Sequence, residues 1–403
     1  MVVESRTVNK KIEEVLELQG DPDPGEQNKT ENIVEIAVRA NNADKISAIL
    51  TGDVVKTMED NEFTLSVKTD GIDYVIPAAE IAIENAAEKL GVTEKLKDIE
   101  VEVKIEKAGN DIIKQMEEIA GENDYSIIVP PVNFTVTAKT KSETGEEREI
   151  TVSKFSQFVE RIIEIPENVD PAKITTGVVY NSDGTISHVP TQIYFKDGIW
   201  YAKISSMTNS SYTVIYSPVT VAAAENHWSE EYVNDMASRL IIKRPESFIP
   251  DGSITRGEFA EYIVNALGIF RPVTANEVIF SDVKISDEQY NAIAIATEYG
   301  IIKGYTDGTF KPSAKISREE AMVMYAAAID IVNIKETYNN RIDSYKDASL
   351  VSEWAYGSVC KTLNTGVFNG KSIDTIDPKG DFTYAEAATA IRNLLVESGL
   401  INE

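Results

Sequence analysis

The stretch GSITRGEFAEYI, residues 252–263, joins a turn to the start of an amphipathic helix and recurs in related form twice further along the chain. Thr255 is a good N-cap, and Glu258 three positions later completes a capping box, in which each side chain bonds the backbone N–H of the other residue. Arg256 is not explained in this way, because a cation at the first helical position lies at the positive end of the helix dipole. The capping box therefore leaves the arginine at this position without an explanation.

The C-terminal part of the chain contains three copies of one sequence unit. Each copy contains a first helix, a structured loop and a second helix, and the second helices begin ITRGEF, ISREEA and FTYAEA. The copies are roughly 62 to 66 residues long, which is longer than common solenoid units, so they predict one compact assembly rather than an open array. We expect repeat 1 at 221–272, repeat 2 at 273–336 and repeat 3 at 337–403. The capping pairs are Thr255 with Glu258, Ser317 with Glu320, and Thr383 with Glu386.

The preceding part of the chain has a different pattern. Residues 1–30 hold one short helical pattern and a linker rich in proline, glycine and acidic residues. Alternation of apolar and polar residues then predicts strands, such as IEVEVKIEK and NFTVTAKT. We expect β-rich domains at 31–122 and 123–220, which could also form one unit, in a β-sandwich-like arrangement.

Composition excludes several function classes. The formal net charge of -27 argues against a broad nucleic-acid or anionic-membrane footprint, and no stretch approaches the roughly 18 apolar residues of a membrane span. Cys360 is the only cysteine, so an intrachain disulfide framework is excluded, and we expect its thiol to be partly buried and dispensable. The two histidines, His188 and His227, lie in different regions, which argues against a metal site.

No catalytic motif stands out. The sequence lacks a Gly-x-Ser-x-Gly elbow, a phosphate-binding loop and a His-Glu-x-x-His motif, and carboxylate pairs are unspecific in so acidic a chain. We therefore expect no enzyme activity, no cofactor and no metal. The first ten residues lack the apolar core of a signal peptide, so a signal for export would lie upstream of this chain.

Arginines at two of the three second helices indicate an anion site. Arg256 and Arg318 occupy the first helical position, where free backbone N–H groups and a guanidinium together bind an anion. An ion pair with Glu319 or with a neighbouring repeat is the alternative explanation. Further basic residues follow in the same loops, among them Lys243 and Lys303, and their grouping predicts a cationic pocket for a ligand with a carboxylate.

The spaced motifs together resemble the S-layer homology (SLH) domain over residues 222–403. They are His-Trp at the opening of a helix, GIIKGYTDGTFKP in the loop, Ile-Thr/Ser-Arg-x-Glu at the next helix, and Phe-Ser-Asp-Val at 280–283. The resemblance implies an all-α, three-pronged, spindle-like pseudo-trimer within one chain. It also implies non-covalent attachment of an exported bacterial protein to secondary cell-wall polysaccharide, often through a pyruvylated amino sugar.

The same resemblance implies binding residues in grooves between the repeats. The arginine of the Thr-Arg-x-Glu motif corresponds to Arg256 and Arg318, and replacing either with alanine should reduce ligand affinity and leave stability nearly unchanged. Repeat 3 has Tyr384 in place of the arginine, so one or two working grooves are expected rather than three. The remaining ligand-binding candidates are Asp282, Asp347, Trp228, Trp354, Lys243, Lys303, Gly304 and Tyr384.

The sequence thus predicts an α+β multidomain protein, with a β-sandwich-like region followed by three SLH repeats. Its expected function is anchoring to a polysaccharide linked to peptidoglycan, on the outside of a bacterium in the cell wall or S-layer. Two alternatives stay open, namely an S-layer lattice subunit whose β domains self-assemble, and the anchor and spacer of an enzyme whose catalytic module lies upstream. Nucleic acid and membrane insertion are not expected.

Overall fold

A computed structural model of the protein describes residues 5–19, 32–38, 43–92, 95–141, 145–273 and 280–403, so most of the expected linker before residue 31 lies outside the described residues. The helices are α1 Ser5–Gln19, α2 Gly52–Asp60, α3 Ile83–Leu90, α4 Asn110–Glu122, α5 Glu230–Ser238, α6 Arg256–Ala266, α7 Tyr290–Glu298, α8 Arg318–Val332, α9 Tyr356–Thr365 and α10 Tyr384–Glu397. The strands are β1 Ile33–Ala37, β2 Lys45–Thr51, β3 Thr64–Thr69, β4 Ile72–Pro77, β5 Ile99–Lys107, β6 Ser126–Ile127, β7 Val132–Lys141, β8 Glu147–Val152, β9 Lys154–Glu164, β10 Thr176–Tyr180, β11 Ile186–Val189, β12 Thr191–Lys196, β13 Ile199–Thr208 and β14 Ser211–Tyr216.

The chain forms two compact units. The β unit contains the residues up to Ile119 together with Ile127–Pro171 and Ile193–Val214. The helical unit contains Ala120–Ser126, Ala172–Gln192 and Ile215–Glu403. No helix among the described residues is long and apolar enough to cross a membrane.

The β unit is built from two sheets. One has the strand order β1-β3-β4-β9-β13-β12, in which β1 and β3 run parallel, and the other contains β14-β7-β5-β2 with β8 paired to β7. Alternate side chains of β5 are buried from Ile99 to Ile105, because successive residues of a strand point to opposite faces. The period-two pattern of the sequence therefore corresponds to real strands with one face in a core.

An arginine lies inside this β core, which the sequence did not predict. Arg161 is fully buried, and its guanidinium donates to the carbonyls of Val159 at 2.7 Å and Ser206 at 3.2 Å. The Tyr212 and Tyr74 rings lie 4.7 and 5.1 Å from the guanidinium carbon, within the range of cation–π attraction. Backbone carbonyls and aromatic faces thus take the place of a carboxylate partner.

The helical unit is a closed ring of three repeats. The second helix of each repeat packs on the first helix of the next one, giving the pairs α6 with α7, α8 with α9, and α10 with α5. The last pair returns from repeat 3 to repeat 1. The described part of the helical unit therefore contains three equivalent helix pairs, one at each junction between repeats.

Backbone hydrogen bonds close the ring at its centre. The Ile254 N–H donates to Phe382 O at 2.9 Å, the Phe382 N–H to Ile316 O at 3.0 Å, and the Ile316 N–H to Ile254 O at 3.1 Å. Each of these residues immediately precedes an N-cap, and their side chains are buried. The ring therefore fixes the starts of all three second helices relative to one another.

A glycine after α6 lies against a hairpin of the helical unit. The hairpin of β10 and β11 contacts α6. Gly268 follows this helix by two residues, and a Cβ added to it would lie 2.7 Å from Pro190 Cδ and 2.9 Å from Val189 Cα.

Cys360 in α9 is partly buried, as expected, and burial raises the pKa of its thiol.

Candidate functional site

All three second helices begin with a complete capping box. The backbone N–H groups of Thr255, Ser317 and Thr383 each donate to the carboxylate of the glutamate three residues later, at 3.0 Å in every repeat. The hydroxyl of each N-cap in turn accepts the N–H of that glutamate. The first and fourth residues of the repeated motif therefore stabilise their own helix.

The backbone N–H groups at the helix starts are not free, which corrects the expected anion site. Arg256 N–H donates to Ala314 O at 2.9 Å, and Arg318 N–H donates to Gly380 O at 3.0 Å. The next N–H in each helix donates to the carbonyl of Pro312 or of Pro378. Each helix start is thus occupied by the loop of the following repeat.

The Arg256 side chain is buried against repeat 2. Its Nε donates to Phe310 O at 3.0 Å, and its Nη1 donates to Glu320 Oε1 at 3.1 Å. The guanidinium carbon lies 4.7 Å from the centre of the Tyr305 ring and 4.9 Å from that of Phe310. Arg256 thus forms an ion pair with a neighbouring repeat, which was the alternative to a ligand site.

Arg318 makes the same contact one repeat further on. Its Nε donates to Ile376 O at 2.7 Å, its Nη2 to Asn369 O at 3.1 Å, and its Nη1 to Glu386 Oε1 at 2.9 Å. Burial lowers the pKa of Arg318, and the charge of Glu386 opposes that effect. Burial alone would raise the pKa of Glu386, but Arg318 and Lys371 outweigh it and hold this pKa below its ordinary value. The pair is therefore ionic.

Tyr384 takes the place of the arginine in repeat 3. Its hydroxyl lies 2.8 Å from both carboxylate oxygens of Glu258 in repeat 1. Burial, followed by the hydrogen bond to Glu258, raises the pKa of Tyr384. The phenol is therefore neutral and can donate to the carboxylate.

A groove of about 380 Å³ opens beside Arg318 and draws on all three repeats. Trp228, two residues before α5, forms one wall and is 58% exposed. Lys371 is half exposed, and its Nζ lies 2.7 Å from Glu386 Oε1. The lining residues are Trp228, Arg318, Val367, Phe368, Asn369, Gly370, Lys371, Phe382, Glu386, Thr389, Ala390 and Asn393. Two cations against one carboxylate, beside aromatic surface, suit a ligand with both an acidic group and an apolar face.

The two aspartate candidates hold loops and do not line this groove. Asp282 accepts the backbone N–H groups of Phe310 and Lys311, each at 2.8 Å. Asp347 accepts those of Ile376 at 2.8 Å and Asp377 at 2.7 Å. The carboxylate oxygens therefore fix the loop that precedes the second helix in repeats 2 and 3.

Trp354 matches Trp228 in position, because each lies two residues before a first helix. Trp354 is 62% exposed and does not line the groove described above. Repeat 2 has Glu288 at this position, and Glu288 forms an ion pair with Arg244. Arg244 Nη2 also lies 3.8 Å from Glu261 Oε2 and 4.0 Å from Glu258 Oε1. Ion pairs within the protein therefore occupy the region beside Tyr384 and Glu258.

The remaining candidates lie apart from the groove. Lys243 Nζ lies 3.6 Å from Glu261 and 3.9 Å from the centre of the Phe270 ring. Lys303 is exposed and forms no ion pair among the described residues. Among the two glycines of this loop, Gly308 has positive φ and Gly304 does not. A Cβ at Gly304 would instead collide with the Phe280 ring and lie 2.9 Å from Thr309 O.

Lys371 was missed by reasoning from the sequence, although a signal existed. Aligning GIIKGY of repeat 2 with GVFNGK of repeat 3 places Lys371 opposite Tyr305, directly after a glycine in both loops. Thr389 and Asn393 were missed as well, since they show only as polar positions within an amphipathic helix.

Comparison with known proteins finds one family match within each of the three expected repeats. A family model described as the S-layer homology domain matches residues 224–260, 279–322 and 344–388. An amylopullulanase of Thermoanaerobacterium thermosulfurigenes is 32% identical over 195 residues, which are 48% of this chain and 10% of that protein. Exoglucanase XynX of Acetivibrio thermocellus is 32% identical over 195 residues, 48% of this chain and 18% of that protein.

A third relative is named for anchoring. The cellulosome-anchoring protein of Acetivibrio thermocellus is 29% identical over 158 residues, 38% of this chain and 34% of that protein. The chain therefore spans about a third or less of the length of these relatives. S-layer homology domains are cell-wall anchoring modules without catalytic activity, which indicates a cell-surface protein. Between residues 224 and 388, this chain contains three S-layer homology domains.

Proposed function

We propose that the helical unit anchors this protein to the bacterial cell wall by binding an acidic secondary cell-wall polysaccharide in the groove of Trp228, Arg318 and Lys371. The observation that carries the proposal is the local charge of this groove. The whole chain has a formal net charge of -27, yet the groove holds two cations against one carboxylate. A cationic recess on an acidic surface selects an anionic ligand and disfavours non-specific anion binding elsewhere.

The aromatic wall supports a saccharide rather than a small inorganic anion. Trp228 keeps more than half of its surface exposed, although burying an indole of this size is favourable. Phe368 and Phe382 line the same recess and stack with their ring centres 5.5 Å apart. A sugar ring has apolar C–H faces and polar edges, so it can contact Trp228 while its acidic substituent reaches the cations.

The ligand acid is proposed to be a carboxylate, such as the ketal carboxylate of a pyruvylated amino sugar. Asn369, Thr389 and Asn393 supply polar groups at the groove edge that suit hydroxyl and amide substituents. Arg318 contributes positive charge beneath the groove, where it is held by three hydrogen bonds. The groove residues thus combine charge, an apolar face and polar groups that orient the ligand.

Binding of the full chain to purified cell walls tests the proposal. We expect binding to walls that retain their secondary polymer and loss of binding after the polymer has been extracted. Trp228→Ala should weaken binding by at least about tenfold, the effect of losing about 1.4 kcal/mol of contact. Trp200→Ala is the matched control, because Trp200 is also exposed but belongs to the β unit. Equal binding to extracted walls, or an equal loss with both variants, would contradict the proposal.

The helical unit would anchor whatever part of the protein is joined to it. Two relatives named as enzymes match over only 10% and 18% of their length, which favours an anchor attached to an enzyme in a longer polypeptide. Self-assembly of the β unit into an S-layer lattice stays a prediction. Ordered sheets of the purified chain in electron micrographs would favour the lattice.

A further inference from the structure

Glu386 lies between the two cations of the groove. Its Oε1 accepts from Arg318 Nη1 at 2.9 Å and from Lys371 Nζ at 2.7 Å, while its Oε2 accepts the Thr383 N–H at 3.0 Å. One carboxylate therefore caps its own helix and also neutralises part of the positive charge of the groove. An acidic ligand meets a site whose cations already have an anion.

The two cations differ in their freedom to turn toward a ligand. The Arg318 side chain is 3% exposed, and two of its three hydrogen bonds go to backbone carbonyls. The Lys371 side chain is 45% exposed, and Glu386 is the one ion-pair partner that it has among the described residues. Moving Arg318 would leave buried carbonyls without donors. Moving Lys371 would break only its contact with Glu386, and Glu386 would still be paired with Arg318.

We propose that Lys371 is the residue that recognises the acid of the ligand in this groove, and that Glu386 competes with the ligand for it. This inference rests on the proposed polysaccharide binding. On binding, the ligand carboxylate takes the Lys371 ammonium, and Glu386 stays paired with Arg318. The pair of Lys371 with Glu386 thus disfavours neutral ligands, because a neutral saccharide offers Lys371 no charge in exchange for that of Glu386.

Repeat 2 provides an internal comparison. At the position of Lys371 it has Tyr305, whose hydroxyl donates to Glu320 Oε1 at 2.8 Å. A phenol can donate a hydrogen bond but brings no positive charge, and burial raises the pKa of Tyr305. The residue at this position therefore distinguishes repeat 3 from repeat 2 in its response to an acidic ligand.

The test measures affinity of the full chain for secondary cell-wall polysaccharide, native and after chemical reduction of its carboxylates to alcohols. Lys371→Met should weaken binding of the native polymer about tenfold, the usual effect of one charge-assisted hydrogen bond. Glu386→Gln should tighten it several-fold, because glutamine preserves a capping box while removing the competing charge. In the Lys371→Met background Glu386→Gln should no longer tighten binding. The reduced polymer should bind more weakly than the native one and respond little to either change.

Two controls keep the result specific. Lys346→Met removes an exposed lysine that pairs with Asp374 in the same repeat, and Glu320→Gln removes the equivalent capping charge beside Tyr305. Neither should change affinity as much as its counterpart, and melting temperatures identify any variant that fails to fold. Lys371→Met depends on no buried contact and remains informative if Glu386→Gln unfolds the helix.

The outcomes separate this inference from the proposed function. Unchanged affinity in Lys371→Met together with a large loss in Trp228→Ala would overturn the role of Lys371 and leave polysaccharide binding intact. Equal binding of the native and reduced polymers would overturn acid recognition as well. Full binding by Trp228→Ala would contradict the proposed groove itself.

Discussion

The Tyr384 hydroxyl lies 2.8 Å from both carboxylate oxygens of Glu258, although 126 residues separate the two along the chain. Arg256 contacts Glu320 and Arg318 contacts Glu386 in the same way. The three contacts run in one direction, from each repeat to the next and from repeat 3 back to repeat 1. The second residue of the repeated motif therefore joins repeats, while the first and fourth residues cap helices.

Tyr384→Phe tests the third contact alone. The change preserves the ring that packs against Phe248, with 5.7 Å between the ring centres, and removes only the hydroxyl. We expect a loss of about 1 kcal/mol in the free energy of unfolding, the net effect of one hydrogen bond. Tyr338→Phe is the control, because its ring is 53% exposed and its hydroxyl makes no hydrogen bond among the described residues. Equal stability of both variants would mean that the contact with Glu258 contributes nothing.

Arg318→Ala should destabilise the helical unit, contrary to the expectation from the sequence. The change leaves the carbonyls of Ile376 and Asn369 without their donor and removes a buried partner of Glu386. Removing one partner of a buried ion pair typically costs about 3 kcal/mol of stability. This is far more than the stabilisation expected from removing a cation at the positive end of the helix dipole. Urea unfolding measures the difference.

Lys315→Ala is the surface control for that experiment. Lys315 pairs with Asp381 at 2.9 Å, but its side chain is 65% exposed. Water and salt screen such a pair, so the variant should unfold at nearly the same urea concentration as the unchanged chain. A loss as large as that of Arg318→Ala would show that position in the ring, rather than burial, determines the effect.

Local patterns of the sequence predicted the helix starts but not the contacts between repeats. A capping box spans four residues, so Thr255 and Glu258 identify each other without any knowledge of the fold. The partner of Arg256 is 64 residues away, and the sequence offers several carboxylates at similar positions. Only the closed ring of repeats selects Glu320 from among them.

The same limit applies to the strands. The strands β10 and β11 fall within the β-rich domain expected at 123–220, yet they lie in the helical unit. Alternation of apolar and polar residues indicates which face of a strand is buried, but it does not indicate which other element packs against that face. Lys371 was missed for a related reason, because a cation in an irregular loop shows no period at all.

Ser317→Ala measures the cap in isolation. The change removes the oxygen that accepts the Glu320 N–H and leaves Arg318 in place. Loss of an N-cap side chain costs about 1 kcal/mol, so the free energy of unfolding should fall by that amount while polysaccharide affinity stays the same. Ser344→Ala, at an exposed hydroxyl that bonds Arg341 O, should change neither quantity. Reduced affinity in Ser317→Ala without a stability loss would contradict a purely structural role.

Gly304→Ala tests whether this glycine serves packing. A Cβ there would collide with the Phe280 ring, which stacks on Phe310 with 5.4 Å between the ring centres. Overpacking of this kind typically costs about 2 kcal/mol, because the ring cannot move away without losing its own contacts. A Cβ at Gly109 would meet no described atom within 4 Å, so Gly109→Ala should have little effect. Normal stability of Gly304→Ala would show that the loop can yield.

His188 should make the stability of the helical unit depend on pH. It is buried on β11, and its Nδ1 lies 2.7 Å from Thr176 Oγ1. Burial, followed by the positive charge of Arg239, holds the pKa of His188 well below its ordinary value, and the Ala266 backbone opposes this only in part. The folded protein therefore keeps a neutral imidazole at a pH where the unfolded chain takes up a proton.

The sign of the effect follows from that difference. Above about pH 7 neither state binds the proton, so His188 adds no pH dependence there. As the pH falls below about 6.5, the unfolded chain gains a proton that the folded chain does not, and the free energy of unfolding decreases by up to about 1.4 kcal/mol per pH unit. Urea unfolding between pH 7 and pH 5 should show this slope, and His188→Gln should flatten it. The difference between the two proteins isolates His188, because every carboxylate is common to both. Equal slopes in the unchanged chain and His188→Gln would contradict the prediction.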